Sequence, residues 1–248
     1  MDWSLNPYVG CSHACAYCYA SFMKRFTGHG EPWGEFVDAK ENITKVLARQ
    51  LRRKKSGRVM LASVTDAWQP IEKSRGLTRA CLELLASSDL SVSALTKSDL
   101  VVRDADILKA FGGLLRERRL TLGFSLTTAS DELASIIEPG ASPPSARLDA
   151  LEHLASEGVE TWVFMAPVLP ALTDSPRDLL SLAKEARRRG AQEVRLDPLN
   201  FYPAAVKQVS KVIARHRPEA GETWRSVLKR PDEWRKRVSA VARSLEET

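Results

Sequence analysis

Apolar positions along the chain switch between short β-branched runs and longer stretches with an apolar residue every third or fourth position. The runs predict strands over residues 58–64, 90–95, 120–126, 160–166 and 193–196, and a short first strand just before Cys11 makes six. Between them the helical spacing predicts helices over 39–54, 76–86, 104–117, 146–157, 176–189 and 203–216. Several ends carry recognisable chemistry. Asp104 and Ser175 can accept the first free N–H groups of a helix, Pro176 suits a first helical position, and Gly158 and Gly190 follow helix C-termini.

Strand–helix alternation at roughly thirty-residue steps implies parallel strands joined by right-handed crossovers. Six such units make an α/β fold, an incomplete (β/α)6 TIM-like barrel short of the eight-fold closure. Polar residues gather where the strands end: Thr65 and Asp66, Thr96 to Ser98, Ser125 to Thr128, Pro167 to Pro170, and Asp197 to Asn200. In parallel α/β folds that edge is where ligands bind. The stretch E-P-G-A-S-P-P-S (138–145) reads as a rigid loop within the barrel. No run of about eighteen apolar residues occurs, so no membrane partner is expected. The start, M-D-W-S-L-N-P, has neither a basic nor an apolar leader region, and a cytoplasmic location is expected.

Cysteine usage changes the picture most. Three of the four cysteines, Cys11, Cys15 and Cys18, stand in a C-x3-C-x2-C spacing, which is no disulfide framework for 248 residues. Free clustered thiols point to a reducing compartment. Three thiolates on one short loop can hold three corners of an iron–sulfur cube and leave one iron open. A structural zinc is the competing reading: it needs four ligands, and His13 or His29 would have to complete the set.

The stretch N-P-Y-V-G-C-S-H-A-C-A-Y-C-Y-A resembles the opening of the radical S-adenosylmethionine (SAM) enzymes, in their spore photoproduct lyase-like, DNA repair photolyase-like branch. T-D-A-W-Q-P-I-E-K (65–73), T-K-S (96–98), R-D (103–104), E-P followed by R-L (138–148) and A-P-V-L-P-A-L-T-D (166–174) are similar to that branch as well. The sequence departs from its usual P-x-x-P-G-x-N-D pattern at Ala171 and Thr173. The matches run over about residues 4–202. They imply a radical SAM partial barrel over 1–202 and a helical extension over 203–248.

What the resemblance implies about chemistry is a [4Fe–4S] cluster on Cys11, Cys15 and Cys18 that binds SAM and cleaves it reductively. The resulting 5′-deoxyadenosyl radical would take hydrogen from a substrate, in that branch a nucleic-acid lesion. Tyr17 would lie near the adenine, Thr65 and Asp66 would receive the SAM amino group, and Lys97 and Ser125 would hold its carboxylate and ribose. Met165 and Ala166 would line the adenine pocket. A low-potential donor of the flavodoxin or ferredoxin type would supply the electron. That branch also uses a separate hydrogen-donating cysteine, but Cys81 lies in L-T-R-A-C-L-E-L-L, on the face of Leu77, Leu84 and Leu85, and reads as core. The catalytic residue acting on the substrate is therefore not assigned. With no second cysteine cluster, an auxiliary iron–sulfur domain is not expected. Cys11 falls only ten residues into the chain, so an upstream segment found in some relatives is expected to be absent.

Charge bears on the substrate. The net charge is +6, and basic residues concentrate after Phe201, among them Lys207, Lys211, Arg215, Arg225, Lys229 and Lys236. Trp224 and Trp234 each precede an arginine there. Such a segment can grip DNA or RNA and stack bases, or its tryptophans can pin the tail to the barrel. A protein or small-metabolite substrate stays open, as does a zinc-stabilised nucleic-acid-binding module without catalysis.

Overall fold

The computed structural model describes residues 1–53, 56–111 and 120–246. Eight strands and ten α-helices are described: β1 (Trp3–Leu5), β2 (Tyr8–Gly10), β3 (Val37–Ala39), α1 (Ile43–Leu51), β4 (Arg58–Leu61), α2 (Glu72–Arg75), α3 (Leu77–Ala86), β5 (Ser91–Thr96) and α4 (Ala105–Ala110) come first. Then follow β6 (Leu120–Ser125), α5 (Asp131–Ile137), α6 (Pro144–Ser156), β7 (Thr161–Val168), α7 (Pro176–Arg188), β8 (Glu193–Pro198), α8 (Pro203–His216), α9 (Gly221–Lys229) and α10 (Pro231–Glu246). Six strands form one parallel sheet in the order β1-β4-β5-β6-β7-β8, and β8 does not return to β1. The barrel is therefore open between its first and last strands, as six units require.

The register sets the ligand edge. Thr96 lies opposite Phe124, and Ser125 opposite Phe164, so β5 and β6 end at nearly the same level while β7 runs on to Val168. Residues on one strand alternate between lumen and helix layer. Leu122, Val163 and Met165 accordingly pack in the core, where Leu82, Leu85 and Leu108 of the surrounding helices are also buried.

The structure amends several expectations. The sixth barrel strand is β1, whereas the residues directly before Cys11 form β2, which pairs antiparallel with β3 in a separate ribbon. Helix α1 starts at Ile43 because Ala39 is spent in that ribbon, and Lys54, the expected helix end, lies outside the described residues. The end of the helix expected over 104–117 also lies outside them. Asp104 makes no cap hydrogen bond; its buried carboxylate instead accepts from Trp68 Nε1 at 2.8 Å and Arg103 Nε at 2.9 Å. Ser175 does cap α7, accepting from the Asp178 N–H, and Gly158 and Gly190 adopt positive φ. Helix α5 was not expected. Its seven residues are too few for a periodic signal, although Ser130 caps it by accepting from the Leu133 N–H at 3.1 Å.

At the departures from the family-like pattern, the backbone keeps its shape. Ala171 has φ of 63°, the left-handed region where glycine is usual, which costs about 1–2 kcal/mol for a side chain. Thr173 Oγ1 accepts from the Leu169 N–H at 2.8 Å, and Asp174 Oδ1 from the Ala171 N–H at 3.0 Å.

Helix α10 packs against β8 and α7. Trp234 is 1% exposed, donates Nε1–H to Asp174 Oδ2 at 2.8 Å and meets the Phe201 ring edge-on at 5.6 Å. Trp224 is buried as well and donates to Ser210 Oγ at 2.9 Å. Neither indole offers a face to a nucleobase: Trp234 pins α10 to the barrel, and Trp224 pins α9 to α8. Among the described residues no helix is long and apolar enough to cross a membrane. Truncating Trp234 to alanine should remove about 3–5 kcal/mol of unfolding free energy, read as a lower urea midpoint. An unchanged midpoint would mean that the indole does not anchor the tail.

Candidate active site

The cysteine loop follows β2 and leads into a short 3-10 helix, Tyr19–Phe26. It has little core of its own and is held by hydrogen bonds from two directions. From β4's end, Thr65 Oγ1 donates to the Gly10 carbonyl at 2.5 Å and accepts from Gln69 Nε2 at 2.9 Å. Gln69 Oε1 accepts from the Ser12 N–H at 2.9 Å. From the α5–α6 turn, the Ile137 carbonyl accepts from the Ala16 N–H at 2.9 Å, and the Gly140 N–H donates to the His13 carbonyl at 3.0 Å. That turn comes very close: a Cβ on Gly140 would stand 2.0 Å from the Ser12 carbonyl oxygen. Gly10 has φ of 88°, and its Cβ would stand 2.3 Å from the Phe36 oxygen.

The loop closes one side of a cavity of about 410 Å³ at the C-terminal edge of the strands. That volume suits a small ligand, since such pockets span about 300–1,000 Å³. Cys11, Cys15, Cys18, Tyr17, Thr65, Asp66, Lys97, Ser125 and Ala166 all line it. Met165 does not: strand alternation sends it into the core, 1% exposed, and puts Phe164 and Ala166 on the lumen side instead. Cys81 is fully buried in α3 and outside the lining, as its helical pattern implied.

Asp66 ties two strand ends together. Its Oδ1 accepts from the Trp68 N–H at 2.9 Å and Thr96 Oγ1 at 2.8 Å, and Oδ2 accepts from the Lys97 N–H at 2.8 Å. His13 Nδ1 lies 3.5 Å from Oδ2, so at most one acceptor position remains for a ligand. Lys97 sends its Nζ over the Tyr17 ring, 5.7 Å from the centroid.

Tyr17 enters a buried network. Its hydroxyl donates to Glu138 Oε1 and lies 2.9 Å from Thr127 Oγ1. Arg147, with no solvent exposure, donates to Glu138 Oε2 at 2.5 Å, the Ser125 carbonyl at 2.9 Å and the Ser142 carbonyl at 2.6 Å. Burial pushes the Glu138 carboxyl above its ordinary value, and the Arg147 charge opposes that push.

The three thiols feel burial most. It raises Cys11 to about 12, assisted by the Asp66 charge, and raises Cys15 and Cys18 as well. Lys97 pulls Cys15 and Cys18 back down, and a hydrogen bond from Trp33 also lowers Cys18. Three thiolates would crowd negative charge into a desolvated space, a cost that bound metal cations offset. The donor set fits a cluster better than one zinc. Among the described residues no three His, Cys, Asp or Glu side chains converge on the position of a single ion, whereas a cube spreads its ligands over separate irons. The two histidines nearest the loop in sequence have other neighbours. His13 faces Asp66, and both ring nitrogens of His29 are paired, with Glu31 at 3.2 Å and Asp38 at 3.0 Å.

The family model described as the Radical SAM superfamily matches residues 5–186. The chain belongs to the radical SAM superfamily. Membership implies an enzyme, and the superfamily typically binds a [4Fe–4S] cluster and SAM. Among its relatives, MJ0683 of Methanocaldococcus jannaschii is 36% identical over 170 residues, 68% of this chain and 61% of that protein. Rv2578c of Mycobacterium tuberculosis is 31% identical over 92% of this chain and 67% of its own length. ORF301 of Acidianus two-tailed virus is 31% identical over 77% of this chain and 65% of its own length. The chain thus spans roughly two thirds of the length of these relatives. In fold it is similar to spore photoproduct lyase with bound AdoMet and dinucleoside spore photoproduct, at TM-score 0.64, 18% identity and coverage of 86% of this chain and 61% of that one. It is also similar to SuiB of Streptococcus suis bound to S-adenosylmethionine, at TM-score 0.54, 14% identity and coverage of 87% and 48%.

Within this radical SAM barrel several family-like motif residues never touch the cavity. Glu72 is fully buried and accepts from Tyr8, the Thr78 N–H at 2.9 Å and Arg103 Nη2 at 2.7 Å. Trp68, Arg103 and Asp104 join it below the strand edge. The cavity lining also includes Asp197 and Asn200, which the sequence places at the ligand edge, and His13, while Tyr19, Phe164 and Tyr202 carry no signal of their own in the sequence. Strand alternation points to Phe164, but Tyr19 and Tyr202 reach the mouth through the packing of α8 on the 3-10 helix. Breaking the buried pair tests the support. Arg147→Ala should cost about 3–5 kcal/mol of stability in urea titrations, because it strands a buried carboxylate. A cost below about 1 kcal/mol, the scale of an exposed pair, would contradict that.

Proposed function

We propose that the chain is a radical SAM enzyme that holds a [4Fe–4S] cluster on Cys11, Cys15 and Cys18 and binds SAM beside it. The observation that carries this reading is the meeting of three thiols, Tyr17 and Lys97 on one ligand-sized cavity at the strand edge of a radical SAM barrel. When bound, the cluster supplies reductive cleavage of SAM to methionine and a 5′-deoxyadenosyl radical that takes hydrogen from a substrate.

The chain's own residues have distinct tasks in this reading. Lys97 offers a fixed positive charge to the SAM carboxylate and draws the Cys15 and Cys18 thiols toward their ionised form. Asp66, with the strand end it shares with Thr65, accepts from the SAM ammonium at its remaining lone pair. The Ser125 hydroxyl serves the ribose, and Tyr17 and Ala166 bound the adenine, with Phe164 taking the place expected of Met165. Asp197, Asn200 and Tyr202, from the end of β8 and the start of α8, complete the lining, and in this reading they meet the substrate. Burial raises the Asp197 carboxyl, which suits it to accept from or donate to a substrate group.

The substrate class follows less directly. Spore photoproduct lyase binds a dinucleoside lesion and SuiB a precursor peptide, and this cavity, open between β1 and β8, could admit one residue of either polymer. We favour a nucleic-acid substrate, on the +6 net charge. With Cys81 buried, the hydrogen returned to a substrate radical does not come from that thiol.

Anaerobic reconstitution with iron and sulfide should give a brown protein that cleaves SAM once reduced. Cys15→Ala should lose both colour and cleavage. A Cys15→Ala protein that still cleaves SAM, or a wild type that takes up zinc and no iron, would sink the proposal. Lys97→Met should weaken SAM binding about tenfold or more, since a charge-assisted contact is worth roughly 1.5–3 kcal/mol. Equilibrium dialysis reads this directly, and unchanged affinity would remove Lys97 from the site.

A further inference from the structure

The 3-10 helix Tyr19–Phe26 continues the chain directly from Cys18, and its first residues, Tyr19 and Ala20, line the cavity. Its apolar side chains are not all spent on packing. Phe22 is 44% exposed and Phe26 67%, and neither lines the cavity. Between them Arg25 lies over both rings, 5.4 Å from the Phe22 centroid and 4.6 Å from that of Phe26, with no carboxylate partner among the described residues. An arginine stacked between exposed aromatics is the composition of a protein-binding surface.

Charge narrows the partner. The 3-10 helix and α8, which packs against it, carry Lys24, Arg25, Lys207, Lys211 and Arg215 and no acidic residue. Lys24 donates to the Gly30 carbonyl at 3.0 Å, and in the following segment Glu31 and Asp38 face His29 while Glu35 is exposed, so the five basic residues outnumber these three acids. The surface is therefore positive and suits an acidic partner. Position narrows it further. A substrate has to reach into the cavity, but these rings lie outside its lining, on the helix that leads away from Cys18. A partner that touches only that helix needs to deliver nothing bulkier than an electron.

We propose that Phe22, Arg25 and Phe26 form the docking face for a small acidic one-electron carrier of low potential. The inference rests on the radical SAM reading. One electron leaves the reduced carrier, which is oxidised by one, and enters the iron–sulfur group held by Cys11, Cys15 and Cys18, which is reduced by one. No bond or proton changes at the interface. Such encounters use small, weak interfaces, which a short helix with two exposed rings can provide.

The test uses the full chain, reconstituted without oxygen, and a bacterial flavodoxin as probe. Titration calorimetry gives its affinity, and SAM cleavage is followed with reduced flavodoxin and, separately, with dithionite. The double change Phe22→Ala with Phe26→Ala, and independently Arg25→Glu, should each weaken flavodoxin binding about tenfold or more. Flavodoxin-driven cleavage should fall in step, while dithionite-driven cleavage stays at the wild-type rate. Unchanged flavodoxin affinity and rate in both variants would overturn the proposal. So would retained flavodoxin affinity with loss of single-stranded DNA binding, which would make the patch a polynucleotide surface. A wild type inert even with dithionite would instead defeat the radical SAM reading, and the calorimetry would still decide the docking face.

Discussion

The buried pair of Arg147 and Glu138 is the interaction on which the site depends. A loop bearing three thiols cannot fold around its own core, so its shape has to come from outside. Arg147 spends its donors on Glu138 and on the carbonyls of Ser125 and Ser142, and Glu138 in turn holds the Tyr17 hydroxyl. Burying such a pair costs more than its attraction returns unless every lone pair and proton is satisfied, and here they are shared among strand β6, the α5–α6 turn and the cysteine loop. One network therefore sets where Tyr17 stands, and with it the spacing between Cys15 and Cys18.

A second buried network works on the other flank. Glu72, Arg103, Asp104 and Trp68 lock the segment after β4 against α3 and the end of β5, and Gln69 extends that lock to the Ser12 N–H. The two networks approach the loop from opposite sides and leave its inner face to the cavity. Lys97 and Asp66 then need only the strand register to be in place. That division explains why family-like motifs contain so many residues that never meet the cavity: they hold those that do.

Much of this was legible in the chain. The C-x3-C-x2-C spacing, the strand positions and the polar residues at strand ends led to an α/β partial barrel and to nine of the ten named site residues on the cavity wall. Met165 lies off that wall because a single position on a strand decides between lumen and core, and an apolar residue suits both. Asp104 has the form of a helix cap, yet a nearby arginine and indole outbid the backbone for its carboxylate. Trp224 and Trp234 read as anchors first and stacking platforms second, since only tertiary packing decides which face of an amphipathic helix is covered. The roles of Glu138 and Gly140 depend on contacts more than a hundred residues away, which no local pattern encodes.

If the α5–α6 turn shapes the loop, the smallest intrusion at their closest approach should disturb metal binding before it disturbs the fold. Gly140→Ala places a methyl against the Ser12 carbonyl, where no flexible side chain can yield. Iron per chain after anaerobic reconstitution is the direct measure, taken beside the urea midpoint of the unreconstituted protein. The expected result is iron content reduced several-fold, with most of the stability retained. Full iron occupancy and wild-type SAM cleavage in Gly140→Ala would contradict the claim that this contact sets the geometry of the three thiols.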